Sequence, residues 1–257
     1  MGVMKLFDLS GKVSIVTGGG SGLGYAMAEA LAEAGSDLLV CSRKEANCRE
    51  AAQSLGRLGV DARGMKCDIT DPSDIHELKD YALKEFGKID VLINNSGATW
   101  GAPTEDYPIE GWKKVIDVNV TGTFLCSQII GKVMIEKGGG KIVNVSSIFG
   151  GVGCKSEVMD AIAYNTSKGA MEAFTKDLAV KWAKHRIYVN AIAPAFVETK
   201  MTRVTMEKGA EHILSHLPLG RFGVPGDLKG AVVFLSSAAS DYMTGTVLFV
   251  DGGYRAM

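Results

Sequence analysis

The chain has 257 residues, 46% of them hydrophobic, and a formal net charge of -1 from 28 Lys+Arg against 29 Asp+Glu. Length and apolar content fit one domain of the larger α/β kind over 1–257, with enough apolar residues to fill a buried parallel sheet. A charge so close to zero gives no electrostatic argument for nucleic acid or an anionic membrane as partner.

Residues 1–10 include Lys5 and Asp8 and hold no long apolar core, so no leader is expected. The run Val13-Ser14-Ile15-Val16-Thr17 predicts a buried strand. It feeds through Gly18-Gly19-Gly20-Ser21-Gly22-Leu23-Gly24 into an alanine-rich helix at 22–34 ended by Gly35. Further strands are predicted at 37–41, 62–66, 91–94, 141–145, 188–192 and 247–250, and helices at 44–58, 72–86, 108–137, 161–182 and 227–236. This alternation implies right-handed β-α-β crossovers. The fold class is therefore α/β, a doubly wound, Rossmann-like parallel sheet of about seven strands with helices on both faces. Ligands in such a sheet bind beyond the carboxyl ends of the strands. No apolar run is read as a membrane span. Five cysteines, Cys41, Cys48, Cys67, Cys126 and Cys154, are scattered without a C-x-x-C pair. That pattern favours reduced thiols in a cytoplasmic protein over disulfides or a metal site.

Two features carry chemistry. A strand entering a helix through glycines leaves free N–H groups and a positive dipole end facing one spot, which suits a pyrophosphate. The Gly-x3-Gly-x-Gly spacing departs from the G-x-G-x-x-G fingerprint. Tyr164 and Lys168, four apart in a predicted helix, project from one face. A cation beside a phenol favours the phenolate and lowers its pKa, although such a pair can also simply cover a helix surface.

Gly18-x3-Gly22-x-Gly24 and Tyr164-x3-Lys168 together resemble the short-chain dehydrogenase/reductase family, over essentially the whole chain. Asn94-Asn95-Ser96-Gly97, Asn119 in Asn-Val-Thr-Gly, Ser147 before Ile148-Phe149-Gly150, and Pro194 ahead of Thr199 follow in the family's order. The resemblance implies hydride exchange between a nicotinamide and a carbonyl or secondary alcohol. Tyr164 would be the proton donor, its pKa lowered by Lys168 together with the positive nicotinamide of the oxidised cofactor, Lys168 also the holder of the nicotinamide ribose, and Ser147 the hydrogen-bond partner of the substrate oxygen. Asn119, at a local helix interruption, would hold a water linking Lys168 to solvent. The cofactor would run along Gly18, Ser21, Gly22, Leu23 and Gly24, then Ser42, Arg43, Asp68 and Ile69. It would continue past Asn95, Ser96 and Gly97 to Tyr164, Lys168, Pro194, Val197 and Thr199. Asp68 matches the residue that contacts adenine, though a turn aspartate explains it equally, and Thr199 has a helix N-cap as its plain alternative.

The second strand ends in Ser42-Arg43 with no acid to bond a ribose 2'-hydroxyl, so NADP(H) is predicted over NAD(H). A solvated arginine beginning the next helix is the other reading. Ser146 is read as a satisfied buried hydroxyl. Ser96 and Ala195 replace a family alanine and glycine, and Ala195 would be restricted if its φ had to be positive. The residues 151–162 form a small insertion bordering the substrate.

A lid is expected at about 196–222. Met201, Met206, Ile213, Leu214 and Leu217 give it apolar faces, and Lys200, Arg203, Lys208, His212 and His216 give it polarity. The closing segments resemble gluconate 5-dehydrogenase-type members, implying a sugar acid or polyol. The stretch from Asn94 to Pro108 resembles rhamnolipid-type 3-oxoacyl reductases, with Trp100 lining an apolar site or capping the surface. A non-catalytic dinucleotide sensor on the same fold is the alternative from another class. The family implies a homotetramer through 108–137 and 161–182 together with C-terminal contacts, with Ala163, Ala170 and Phe174 as outward positions.

Overall fold

The computed structural model describes residues 2–199 and 202–257. Its sheet has seven parallel strands in the order β3-β2-β1-β4-β5-β6-β7. They are β1 Val13–Thr17, β2 Asp37–Ser42, β3 Ala62–Lys66, β4 Val91–Asn94, β5 Gly140–Val145, β6 Ile187–Pro194 and β7 Val247–Val250. The order reverses between β1 and β4, which opens a crevice at their carboxyl ends.

Alternation along each strand sends neighbours to opposite layers. Val16, Leu38 and Val40 pack with Met27 and Leu31 of α1 (Gly22–Glu33), Leu55 of α2 (Glu45–Gly56) and Val232 and Leu235 of α8 (Lys229–Ser236). Ile15, Leu39 and Leu92 pack the other way, on Ile75 and Leu78 of α3 (Pro72–Phe86) and on Cys126, Ile130 and Met134 of α5 (Thr123–Lys137). The central strands β1 and β4 are fully buried, which is why they read as continuous apolar runs.

The predicted helix 108–137 is three pieces: α4 (Ile109–Ile116), a π-helical turn (Asp117–Gly122) that carries Asn119, and α5. This stretch also corrects the reading that no apolar run approaches a membrane span. Ile109–Lys137 is 29 residues long with a mean hydropathy of 1.3 at its most apolar, and 56% of that part is buried inside the fold. Its apolar side is spent against the sheet. The predicted helix 227–236 starts later, because Pro225 opens a short 3-10 turn (Pro225–Leu228) ahead of α8. Helix α6 (Ile162–Trp182) matches its prediction within a residue, but Ala163 faces inward and is fully buried, so it is not an outward position.

Between β6 and α8 lies α7 (Arg203–Ser215), with a break at Gly209 (φ -112, ψ 16). Met206, Ile213 and Leu217 are buried with Ile148, Phe149 and Phe196 in a third apolar cluster, against which Val152, Cys154, Met159, Tyr164, Leu214 and Tyr254 pack. Of the methionines in the segment expected as a lid, Met206 is the one that can be placed, and it faces inward. Lys200 and Met201 lie outside the described residues, as do the side chains of Arg203 and Lys208.

Candidate active site

A cleft of about 520 Å³ runs along the carboxyl ends of the strands from β3 to β6. Every residue assigned above to the cofactor lines it except Gly22. The glycine turn explains that exception. Gly22 has φ +59 and nothing within 4 Å of where a Cβ would stand, whereas a Cβ on Gly24 would meet the Gly18 carbonyl oxygen at 2.3 Å. Gly24 allows the helix to approach the strand, and Gly22 leaves the space before the helix open. Ser21 caps α1 without any side-chain hydrogen bond, so the first amides of the helix have no side-chain partner. Asn95 locks the turn to β4: its Nδ2 donates to the carbonyls of Thr17 (2.9 Å) and Gly18 (3.3 Å). The amides of Asn95 and Ser96 both donate to Thr17 Oγ1, at 3.0 and 3.1 Å.

At one end of the cleft, Ser42 is half-buried and holds the Lys44 amide at 3.3 Å. Arg43 and Lys44 are both exposed, and neither makes an ion pair among the described residues. Asp68 Oδ1 accepts from the amide (3.0 Å) and hydroxyl (2.8 Å) of Thr70, so one carboxylate oxygen is occupied in a local turn. Backbone cradle, open space and unpaired cations fit a phosphorylated dinucleotide.

At the other end stand Ser147, Tyr164 and Lys168. Ser147 follows β5, is 6% exposed, and accepts from the Phe149 amide at 3.3 Å as it caps a 3-10 turn. Lys168 is buried, and its Nζ donates to the Val145 carbonyl at 2.6 Å, 5.4 Å from the Tyr164 ring centroid. Burial pulls the Lys168 ammonium down to about 8. Burial pushes the Tyr164 phenol up, and the Ser147 hydroxyl beside it pulls the other way. The expected lowering, by Lys168 together with the positive nicotinamide of the oxidised cofactor, belongs to the cofactor complex. In the protein alone, desolvation of the phenol dominates and the ammonium is directed at a carbonyl.

Asn119 lies behind the cleft. Its Oδ1 accepts from the Ala98 amide at 2.7 Å, and its Nδ2 donates to the Ala98 carbonyl (3.0 Å) and to Ser167 Oγ (2.8 Å). Both amide protons are used, so the side chain clamps the loop after β4 to α6. Ser146 is buried and donates to the Lys168 carbonyl at 3.2 Å, as the satisfied hydroxyl it was read to be.

Pro194 ends β6, and Val197 bridges to Gly223. Thr199 and Thr202 form a closed turn, with hydroxyls 3.0 Å apart and Thr202 Oγ1 donating to the Val197 carbonyl at 2.6 Å. Ala195 does not need a positive φ; among the described residues only Arg186 outside glycine has one. Trp100 packs over Gly111 of α4, where a Cβ would meet its ring at 2.8 Å, with Lys114 Nζ 5.1 Å from the ring centroid. It caps the surface and does not line the cleft.

The family model described as Enoyl-(Acyl carrier protein) reductase matches residues 18–255. The chain belongs to the short-chain dehydrogenase/reductase family. It is an oxidoreductase acting between CH–OH and C=O groups. Among curated relatives, 2-dehydro-3-deoxy-D-gluconate 5-dehydrogenase of Dickeya dadantii is 38% identical, over 99% of this chain and 99% of that protein. The 3-oxoacyl-[acyl-carrier-protein] reductase FabG of Aquifex aeolicus is 37% identical, over 95% and 98%. Among solved structures, a gluconate 5-dehydrogenase from Burkholderia cenocepacia in complex with NADP and tartrate has a TM-score of 0.94, 31% identity and full coverage of both chains.

Within this oxidoreductase, several cleft residues were missed from sequence: Lys44 and Asn47 at the cationic end, Ala98 and Val118 beside Asn119, and Thr202. Lys44 was legible as a second cation directly after Arg43. Thr202 was not, because its place depends on how the chain folds back after Val197. The 151–160 segment does not line the cleft; it packs on the third apolar cluster and is tied to the loop after β4 by the Ala102 amide donating to the Asp160 carbonyl at 3.0 Å.

Proposed function

We propose that the enzyme interconverts a keto sugar acid and its hydroxy acid with NADP(H) preferred over NAD(H). The observation that carries this is one cleft with Ser147, Tyr164 and Lys168 at one end and the unpaired Arg43 and Lys44 at the other. The sugar-acid dehydrogenases among the relatives, one of them seen with NADP, support substrate class and coenzyme alike.

A bound nicotinamide would supply or take the hydride. Tyr164 Oη gives its proton to the carbonyl oxygen during reduction and removes it during oxidation. Because burial raises the phenol pKa, the resting enzyme keeps that proton on Tyr164, ready for reduction. Ser147 Oγ donates to the same substrate oxygen as charge develops on it. Lys168 is the cation beside the phenol and would donate to the ribose hydroxyls, and Val145 holds it in place. Asn119 is a positioning residue that fixes the loop after β4 against the helix bearing Tyr164 and Lys168. The glycine turn would take the pyrophosphate, Asp68 and Ile69 would flank the adenine, and Arg43 with Lys44 would take the 2'-phosphate.

A 3-oxoacyl thioester reductase is the second reading. The FabG relative supports it, as does the apolar wall of Phe149, Phe196 and Met206 beside Tyr164. A panel of sugar keto acids, neutral ketoses and 3-oxoacyl thioesters, each with NADPH and NADH, decides between them. The highest kcat/KM is expected for a keto acid with NADPH. A thioester outperforming every keto acid would overturn the assignment.

We also propose a cytoplasmic homotetramer in which the segment 196–222 acts as a lid. The free thiols of Cys41, Cys48, Cys67, Cys126 and Cys154 support a reducing compartment. Exposed Phe124, Ile162 and Val180 on α5 and α6, and the half-buried edge strand β7, support subunit contacts. Sedimentation that shows a monomer at assay concentration would contradict the assembly.

A further inference from the structure

Resting on the sugar-acid reading, we propose that Arg255 anchors the substrate carboxylate. Its guanidinium lies with Cζ 4.1 Å from the Phe249 ring centroid. The same group covers the Cα of Gly151, where a Cβ would meet the guanidinium atoms at 3.0–3.1 Å. Gly151 is four residues past Ser147 and ends the 3-10 turn that Ser147 caps. Phe249 packs on the third apolar cluster with Tyr164, and Tyr254 joins it through a ring contact of 5.8 Å to Phe196. Arg255 therefore packs on the loop that follows Ser147 and on an aromatic ring of the apolar cluster that Tyr164 also joins.

The group is preset for an anion. Asp251 pins the C-terminal turn through the amides of Gly253 and Arg255, each at 3.0 Å. A guanidinium stacked on an aromatic face keeps its edge donors free, and their fork matches a carboxylate. Arg255 makes no ion pair among the described residues. The other cations near this end are differently placed. Arg221 is spent in a two-pronged pair with Asp227, at 2.7 and 2.9 Å. Lys168 is buried and bonded to Val145. Lys155, exposed on the loop after Gly151, is a point charge on a flexible stem.

The test compares steady-state reduction of 5-keto-D-gluconate with that of L-sorbose, which has CH2OH where the acid has its carboxylate. The proteins are the unmodified enzyme, Arg255→Ala, Arg255→Lys and Lys155→Ala. For Arg255→Ala the KM for the acid is expected to rise about 10–100-fold relative to that for sorbose, the scale of one charge-assisted contact. Arg255→Lys should recover part of the loss, and Lys155→Ala should not separate the two substrates. Sorbose turnover in the same preparations reports that each variant is folded. A shift equal for both substrates, or a separation that follows Lys155 instead, overturns the anchor while the sugar-acid reading stands. If the unmodified enzyme reduces other ketones but no keto sugar acid, that reading fails and the anchor falls with it.

Discussion

Replacing Lys168 with Met should make the cofactor-free protein more stable while removing most of its activity. Lys168 is buried, and its one hydrogen bond goes to the Val145 carbonyl at 2.6 Å. Burial lowers its pKa from 10.5 to about 8, which is worth roughly 3 kcal/mol against the folded state when the side chain is charged. Methionine has a similar length and no charge, so it removes that cost, at the expense of about 1–2 kcal/mol for the orphaned Val145 carbonyl. The net gain is about 1–2 kcal/mol at pH 7, or a rise in Tm of about 2–8 °C for a chain of this size. The pH dependence has a definite sign. Between the folded value near 8 and the unfolded value of 10.5, the unfolded chain binds the extra proton, so wild-type stability rises with pH across that window. The advantage of the variant is therefore largest below pH 8 and fades by about pH 10. Thermal unfolding of both proteins without coenzyme at pH 7 and pH 10 measures it. A variant less stable than wild type at pH 7, or a gap that does not close with rising pH, would refute the reasoning.

Tyr164→Phe should lose turnover by about 10²–10⁴-fold, the usual contribution of a positioned proton donor, while NADPH affinity measured by fluorescence changes only a few-fold. Retained turnover would place the proton elsewhere. Arg43→Ala with Lys44→Ala should raise the KM for NADPH by about 10–100-fold and leave that for NADH nearly unchanged, since only the former has the 2'-phosphate. Equal loss with both coenzymes would mean that these cations do not read the phosphate.

The topology was open to sequence reading because β1 and β4 are buried on both faces and the glycine turn has its own spacing. The helix interruption at Asn119 was likewise anticipated from its motif, and the structure gives it a π turn. What escaped depends on where distant segments meet. The seat of Trp100 on Gly111, the Thr199–Thr202 turn and the inward face of Ala163 follow from packing that no local pattern encodes. The burial that raises the Tyr164 phenol in the protein alone escaped for the same reason. The i, i+4 spacing shows that a lysine is near but not that the phenol is desolvated or that the ammonium donates to the Val145 carbonyl. Lys155 and Arg255 show the limit most plainly, since only the fold shows that it is Arg255 that stacks on Phe249.

The central claim is tested most directly by kcat/KM for 5-keto-D-gluconate reduction with NADPH and with NADH, measured side by side on the unmodified enzyme. The account predicts efficient reduction with NADPH ahead by about tenfold or more, as expected for two cations facing the 2'-phosphate. Reduction that favours NADH, or no reduction of the keto acid with either coenzyme, would contradict it.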